Sequence, residues 1–166
     1  MIYFLITLLV LLGAWYLSFS ASRLDRLHHR VETSWEHLDA LLQRRGTLAL
    51  EISHQADLDL ATELILKESA YVSREESILE RNDAERSLSE SLRFLKDSAQ
   101  NGDIQISVGL LDELHVLTDK IKIAVSIHLE AVNSVANLRS KRLYRIFHLA
   151  GKAKLPRTYS FEEEVL

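Results

Sequence analysis

The first 22 residues, MIYFLITLLVLLGAWYLSFSAS, carry no charged side chain, and this run constrains the fold more than any other feature of the sequence. An α-helix rises about 1.5 Å per residue, so roughly 20 apolar residues cross the ~30 Å hydrocarbon layer of a bilayer. Tyrosine and tryptophan side chains near its two ends suit the lipid–water interfaces. The run therefore predicts a transmembrane anchor over residues 1–22, with these residues as its membrane contacts: Ile2, Tyr3, Phe4, Leu9, Leu12, Trp15 and Tyr16.

A cleaved signal peptide is the alternative interpretation of this run. Such a peptide begins with a basic region and has an apolar stretch of about 7 to 15 residues. Here no basic residue comes before Arg23, and the apolar stretch is longer. Ser18 and Ser20 are small enough for a peptidase to accept, so the sequence favours a retained anchor without excluding cleavage.

Three basic residues, Arg23, Arg26 and Arg30, follow the anchor closely, and none precedes it. Basic residues beside a span tend to stay on the cytoplasmic side of the membrane. We therefore expect a single-pass protein with its N-terminus outside and residues 23–166 in the cytoplasm.

The composition predicts an all-α protein. The 166 residues include one proline and five glycines, and we find no runs of alternating apolar residues, flanked by turn signals, that would make a sheet. The sequence has no cysteine, which excludes disulfides, a thiolate nucleophile and cysteine-rich metal sites. A formal net charge of −4 gives no overall attraction to nucleic acid.

Apolar residues recur at helical spacing in three stretches, at 23–55, about 60–98 and about 110–150. Asp57 and Asp59 fit a turn or a helix start, and Asn101-Gly102 is a turn dipeptide within residues 98–109. The second stretch is expected to turn these residues inward: Ala61, Leu64, Ile65, Tyr71, Ile78, Leu88, Leu92 and Leu95. In the third, these are expected inward: Leu114, Leu117, Ile121, Val125, Leu129, Val132, Leu143 and Ile146.

Because each helix has one apolar face and the connections are short, the chain is expected to fold back on itself. The predicted organisation is an anchor at 1–22, an antiparallel bundle of three long helices at 23–151 and a polar tail at 152–166. An intermolecular coiled coil, formed by self-assembly, is the alternative.

A basic segment lies near the end of the chain, where no acidic residue occurs between Glu130 and Glu162. In a three-helix arrangement, the end of the third helix lies far from the membrane, beside the acidic stretch 57–90. Internal charge pairing is therefore expected, with anionic lipid and an acidic protein as alternatives; nucleic acid is not expected. The candidate contacts are Arg139, Arg142, Arg145, Lys152 and Lys154.

Two stretches resemble the LemA family. LDRLHHRVETSWEHLDALLQRR, at 24–45, is similar to the first soluble helix of that family, which ends in a basic pair, here Arg44-Arg45. LRSKRLYRIFHLAGKAKLPRTYSFEE, at 138–163, resembles the tail of some bacterial members. The middle departs from the family pattern, since Ser126 and Leu129 stand where an arginine and an asparagine are typical. The resemblance implies a helical bundle anchored in a bacterial cytoplasmic membrane, and it implies no reaction.

Three carboxylate–histidine pairs have the spacing of bundle metal sites: Glu51 with His54, Asp112 with His115, and Asp25 with His28. His54 and Asp112 lie off the apolar stripes, so neither a metal nor another cofactor is expected. We also find no catalytic motif. The expected function is a non-enzymatic scaffold or adaptor that binds other proteins at the membrane. The alternatives are a bundle enzyme with a carboxylate–histidine metal site and a self-assembling coiled coil.

Overall fold

The computed structural model describes residues 1–55, 58–75 and 81–141. They form four helices: α1 (Ile2–Gln55), α2 (Leu60–Glu75), α3 (Arg81–Asn101) and α4 (Val108–Ser140). No strand occurs among these residues, and the predicted all-α class is confirmed.

The stretch expected to form one helix over residues 60–98 contains two, because α2 ends at Glu75 and α3 begins at Arg81. These two helices pack against each other, and the hydroxyl oxygens of Ser69 and Ser91 lie 3.4 Å apart. Both serines are at comparable distances from the connection, as in an antiparallel helix pair. Ile78, which was expected inward, lies outside the described residues.

The described residues divide into two units, and both α1 and α4 contribute to each of them. The first unit holds residues 1–35 and 127–141, and the second holds residues 36–126 apart from the gaps given above. The two units are described separately below. The expected tail, residues 152–166, lies outside the described part of the chain.

In the first unit, α1 and α4 run antiparallel. Leu24 is buried in a cluster with Val135 and Leu138, against which Leu27 and Val31 also pack. Further along α1, the Arg30 guanidinium lies 3.8 Å from the Glu130 carboxylate, and the Ser34 hydroxyl contacts His128 Nδ1. As residue numbers rise along α1, the numbers of their partners fall along α4, which defines the antiparallel register.

This register reverses the position predicted for the start of the basic segment. Leu138 packs against Leu24, two residues after the expected anchor, so Arg139 lies at the anchor end of the first unit. The prediction that this end lies far from the anchor segment is wrong, because two helices stand where one was expected and α4 therefore runs in the direction opposite to the expected one. The other four candidate contacts lie outside the described residues: Arg142, Arg145, Lys152 and Lys154.

The second unit has a core to which all four helices contribute leucine, isoleucine or valine side chains. Burying one such side chain stabilises the folded state by about 1.5–3 kcal/mol before the entropy of ordering is subtracted. The fully buried members are Leu38, Leu42, Leu48, Ile52, Leu66, Leu88, Ile121 and Val125.

The buried face of α2 differs from the predicted one. Leu64, Ile65 and Tyr71 were expected inward but are exposed, whereas Leu66 and Ala70 are fully buried. Apolar residues occur on more than one side of α2, so its periodicity does not select a face. Ala61 of this predicted set is also exposed.

The buried face of α4 differs at one position. His128 is buried, whereas Leu129, which was expected inward, is half-buried. Val125, His128 and Val132 follow one another at helical spacing, so the buried face of α4 includes one polar residue. Leu143 and Ile146, also expected inward, lie outside the described residues.

Local sequence fixes the start of α2. The carboxylate of Asp59 accepts hydrogen bonds from the backbone N–H groups of Ala61 and Thr62, both at 3.2 Å, and another from the Thr62 hydroxyl. These bonds satisfy N–H groups that have no partner within the helix. The hydrogen bonds from Thr62 lower the pKa of the Asp59 carboxyl. The predicted helix start is therefore confirmed at Asp59.

A glycine fixes the end of α3. Gly102 has a φ of +81°, its N–H donates to the carbonyl of Ala99 at 3.2 Å, and the N–H of Asp103 donates to the carbonyl of Ser98 at 3.0 Å. These two bonds form a Schellman motif, in which glycine adopts a left-handed conformation without a Cβ clash. The predicted turn at Asn101-Gly102 is confirmed.

Replacing Gly102 with alanine should lower the free energy of unfolding by about 1–2 kcal/mol, because a Cβ is strained in the left-handed region. The space around Gly102 is open, so any loss reflects backbone conformation rather than a clash. Gly109→Ala is the control, since its Cβ would meet only Ser107 Oγ at an ordinary 3.8 Å. Chemical denaturation of both variants measures the difference, and equal stabilities would contradict the cap.

The register of the first unit can be tested by crosslinking, because the sequence contains no cysteine. Cysteines at Arg30 and Glu130, whose side chains lie 3.8 Å apart, should be joined by a short bifunctional reagent. Cysteines at Arg30 and Lys141 should not, because Lys141 is eleven residues, or roughly 16 Å, further along the chain than Glu130. The opposite result would exclude the antiparallel register.

Candidate functional site

The basic pair Arg44-Arg45 of α1 contacts two different helices in the second unit. Arg45 has a side chain only 4% exposed and pairs with Glu85 of α3, which is 1% exposed. Arg44 is half-exposed and donates to Glu113 of α4 at 2.5 Å. This hydrogen bond raises the pKa of the Arg44 guanidinium. Two adjacent residues thereby connect α1 to both α3 and α4.

The buried Arg45–Glu85 ion pair is the unusual member of this arrangement. Transferring two charges from water into a protein interior is costly, and their mutual attraction offsets that cost only when both partners are present. Removing one partner of such a pair typically costs about 3–5 kcal/mol, because the other charge is left buried and uncompensated. The Nε–H of Arg45 has no hydrogen-bond partner among the described residues.

A cavity of about 630 Å³ lies between α3 and α4, and Arg45 of α1 forms part of its wall. The wall combines charged groups with leucine side chains, which gives it both polar and apolar surfaces. The lining residues are Arg45, Arg86, Ser89, Leu92, Arg93, Lys96, Asp97, Gln100, Leu111, Asp112, Leu114, His115, Thr118 and Lys122.

The two hydroxyl groups that line this cavity bond to the backbone of their own helices. The Ser89 hydroxyl donates to the carbonyl of Glu85 and the Thr118 hydroxyl to that of Leu114, both at 2.8 Å. Each hydroxyl hydrogen is therefore directed to the backbone of its own helix and away from a general base. Five lining residues are lysine or arginine and two are aspartate, so the wall has an excess of positive charge.

A second polar group is buried in the first unit. Ser34 Oγ donates to the carbonyl of Val31 at 2.8 Å and lies 3.0 Å from His128 Nδ1. The serine has one hydrogen, so when it donates to Val31, the neutral His128 ring carries its proton on Nδ1 and donates to Ser34. The Nε2 atom is buried without a partner in the described structure, and the Trp35 ring lies 5.5 Å from the imidazole. Burial lowers the pKa of His128.

The predicted anchor residues all lie on the N-terminal part of α1. This helix contains one segment long and apolar enough to cross a bilayer, and that segment is not buried within the protein. The exposed side chains include all seven predicted membrane contacts: Ile2, Tyr3, Phe4, Leu9, Leu12, Trp15 and Tyr16.

The predicted basic residues fall into three groups. Arg23, Arg26 and Arg30 follow the apolar segment on α1, and Arg30 faces Glu130 across the first unit. Arg139 lies in the last turn of α4. The remaining candidate contacts lie outside the described residues, as noted above.

The predicted carboxylate–histidine pairs do not form a metal site within the described part of the chain, where no three histidine or carboxylate side chains come together. Asp112 and His115 instead line the cavity between α3 and α4. Glu51 accepts a hydrogen bond from Gln55 at 3.2 Å.

Sequence reasoning missed the polar residues that are buried, although each occupies an apolar position of its helix. Arg45 lies three residues after Leu42 and three before Leu48, and Glu85 lies three residues before Leu88. Interruption of an apolar stripe by a single ionisable residue was the available signal. It identifies a buried polar position but does not identify the partner.

Acidification should destabilise the protein through His128. Its folded-state pKa lies below the value of about 6.5 expected for the unfolded chain, so the unfolded state binds more protons in that window. The free energy of unfolding should therefore decrease as the pH falls below about 6.5. In His128→Asn, the amide can still donate to Ser34 but does not titrate, so the loss between pH 7.5 and 5.5 should be smaller than in the parent protein.

The control for this experiment is His115→Asn, because the side chain of His115 is exposed. Its stability should depend on pH as the parent protein does, as measured by denaturant unfolding at each pH. A His128→Asn variant with unchanged pH dependence would contradict the assignment.

No family model matches the chain, and neither does any curated protein or solved structure. The resemblance to the LemA family, drawn from residues 24–45 and 138–163, is neither supported nor contradicted by these comparisons. Membership of that family remains a prediction.

Proposed function

We propose that this protein is a non-enzymatic, membrane-anchored helical adaptor that binds another protein through the exposed apolar side of α2. The observation that carries the proposal is a row of large apolar side chains on that helix. Leu60, Leu64 and Tyr71 are 72%, 58% and 52% exposed.

The spacing of these three residues places them on one face of the helix. Leu64 follows Leu60 by four residues and Tyr71 follows Leu64 by seven, so successive side chains lie almost above one another. Single exposed apolar residues are common, whereas an aligned row resembles the anchors of a helix that docks against a partner. The proposed partner is therefore a protein that presents an apolar helix or groove.

The exposed apolar segment of α1 supports the membrane part of the proposal. Its large apolar side chains are exposed rather than buried in the described protein, and a bilayer is the environment in which such a helix is stable. The proposed topology has one span, the N-terminus outside and the remainder in the cytoplasm of a bacterial cell. The basic residues after the span support this orientation, and the LemA resemblance supports the bacterial origin.

Proximity labelling in cells tests the proposal. A biotin ligase fused to the C-terminus of the full chain should label cytoplasmic proteins, because the ligase requires cytoplasmic ATP. Changing Leu64 and Tyr71 together to glutamate should abolish labelling of a specific subset of these proteins, since charge on both residues disrupts an apolar contact.

Ile123→Glu is the matched control, because Ile123 is 61% exposed on α4 and the substitution is of the same kind. The control should label the same proteins as the parent. If the α2 variant also labels them all, the proposed face is wrong. If Ile123→Glu alone loses partners, α4 is the binding face; if it loses only the labelling of a second, unfused copy of the chain, the protein is a self-assembling coiled coil.

A further inference from the structure

We propose that the anchor end of the first unit binds an anionic phospholipid through a basic cluster formed by Arg23, Arg26 and Lys141. The inference rests on the membrane anchor proposed above and goes beyond it, because it specifies the class of lipid and the residues that hold the headgroup. All three side chains are exposed. Arg139 is two residues before Lys141, lies on nearly the opposite side of α4 and is not a member of the cluster.

The antiparallel register of the first unit brings Lys141 to the end of the apolar segment. The charged groups of Arg30 and Glu130 lie 3.8 Å apart, which sets one level along the helix pair. Lys141 is eleven residues beyond Glu130, or roughly 16 Å closer to the anchor, and Phe19 is eleven residues before Arg30. The N–H of Lys141 donates to the carbonyl of Leu138 at 3.2 Å, which holds Lys141 at the last turn of α4. Lys141 therefore lies close to the level of Phe19.

Helical spacing places the three cations on one flank of the helix pair. Arg23 precedes Arg30 by seven residues, about two turns, so both lie on the same side of α1. Arg26, three residues after Arg23, occupies a neighbouring position on that side. Lys141 follows Glu130 by about three turns and lies on the side of α4 that carries Glu130. These two sides adjoin because Arg30 faces Glu130.

The acidic residues nearest to the cluster in sequence are Asp25 and Glu130. Asp25 lies nearly opposite Arg23 on α1 and about a quarter turn from Arg26. Glu130 faces Arg30, which is further from the anchor than the cluster. The flank therefore carries an excess of positive charge where the apolar segment ends. Anionic lipid headgroups attract basic residues in this position, and arginine forms strong hydrogen bonds with phosphate.

An exposed apolar stripe continues from the cluster along the anchor, and it favours a lipid over a free phosphate. Leu12, Tyr16 and Phe19 precede Arg23 by eleven, seven and four residues, so they lie on its side of α1. Their side chains are 57%, 48% and 53% exposed. A phospholipid contacts both surfaces, because its phosphate lies at the level of the cations and its acyl chains extend along the apolar stripe.

Quenching of Trp15 fluorescence by brominated lipids tests the proposal on the full chain in vesicles. Trp15 is 69% exposed and lies eight residues, or roughly 12 Å, from Arg23, so bromine on an adjacent acyl chain quenches it. Trp35 is twenty residues further along α1 and contributes a constant background. The vesicles contain equal amounts of phosphatidylglycerol and phosphatidylcholine, with bromine on one lipid at a time. Phosphatidylglycerol should bind about fivefold more tightly, the ratio that one cation near an anionic surface provides.

Two variants with the same loss of charge separate the cluster from net charge. The test variant carries Arg23→Gln, Arg26→Gln and Lys141→Gln, and its relative affinity for phosphatidylglycerol should decrease to about one. The control carries the same change at three exposed positions of the second unit, Arg93→Gln, Lys96→Gln and Lys120→Gln, and should retain the preference of the parent protein. Glutamine is a good helix former, and circular dichroism checks that both variants remain helical.

Lys141→Gln alone tests the contribution of α4. This variant should bind phosphatidylglycerol more weakly than the parent protein does, because one of the three cations is lost. An unchanged preference would show that α1 alone attracts the lipid and would refute a cluster built from two helices.

Several further outcomes would overturn the proposal. Equal quenching by the two lipids in the parent protein would exclude a preference for anionic lipid, and an equal loss of preference in the control would exclude the cluster. Displacement by millimolar glycerol phosphate would show that the cluster binds a free phosphate instead. Absence of quenching by either lipid would contradict the anchor and this inference together, whereas equal quenching would leave the anchor intact.

Discussion

The buried ion pair between Arg45 and Glu85 is the constraint on which the second unit depends. Two charges removed from water stabilise a fold poorly compared with well-packed apolar side chains, but they penalise every packing that separates them. Any arrangement that moves α3 away from this part of α1 leaves an uncompensated charge in the interior. The main effect of the pair is therefore to make α3 the neighbour of this part of α1, and its contribution to stability is secondary.

The adjacent Arg44–Glu113 contact has a different character. Both side chains are partly exposed, so solvent screens their attraction and the contact adds little to stability. Its position is nevertheless informative, because Arg44 reaches α4 while Arg45 reaches α3. The same short segment of α1 thus contacts both helices between which the cavity lies, and this explains why Arg45 forms part of the cavity wall.

Local signals in the sequence predicted the helical class, the start of α2 at Asp59 and the end of α3 at Gly102, because each depends on residues only a few positions apart. The separation of α2 from α3 was not predicted, since residues 76–80 contain neither glycine nor proline and the apolar spacing continues through them. Missing that separation reversed the expected direction of α4. The direction of a long helix depends on the number of helices before it, so one missed helix boundary changed the position of Arg139.

The candidate site was less predictable than the fold. Assigning every charged residue to the solvent is a good general rule, and it fails where a partner on a distant part of the chain compensates the charge. Arg45 and Glu85 are forty residues apart in sequence, so neither position alone indicates the other. The exposed face of α2 was missed because this helix has apolar residues on more than one side. Packing against other helices, which the local sequence does not show, buries Leu66 and leaves Leu64 exposed.

The contact between Ser34 and His128 has a consequence for helix alignment. If α4 slid by seven residues along α1, the apolar faces would still meet, but His128 would lie opposite Leu27 or Leu41 and Ser34 opposite Ile121 or Val135. Either shift would place the buried imidazole and the hydroxyl against apolar side chains, where neither group would keep its hydrogen bond to the other. One polar layer in an otherwise apolar seam therefore discriminates between alignments that leucine and valine alone would tolerate, as a single asparagine does in a coiled coil.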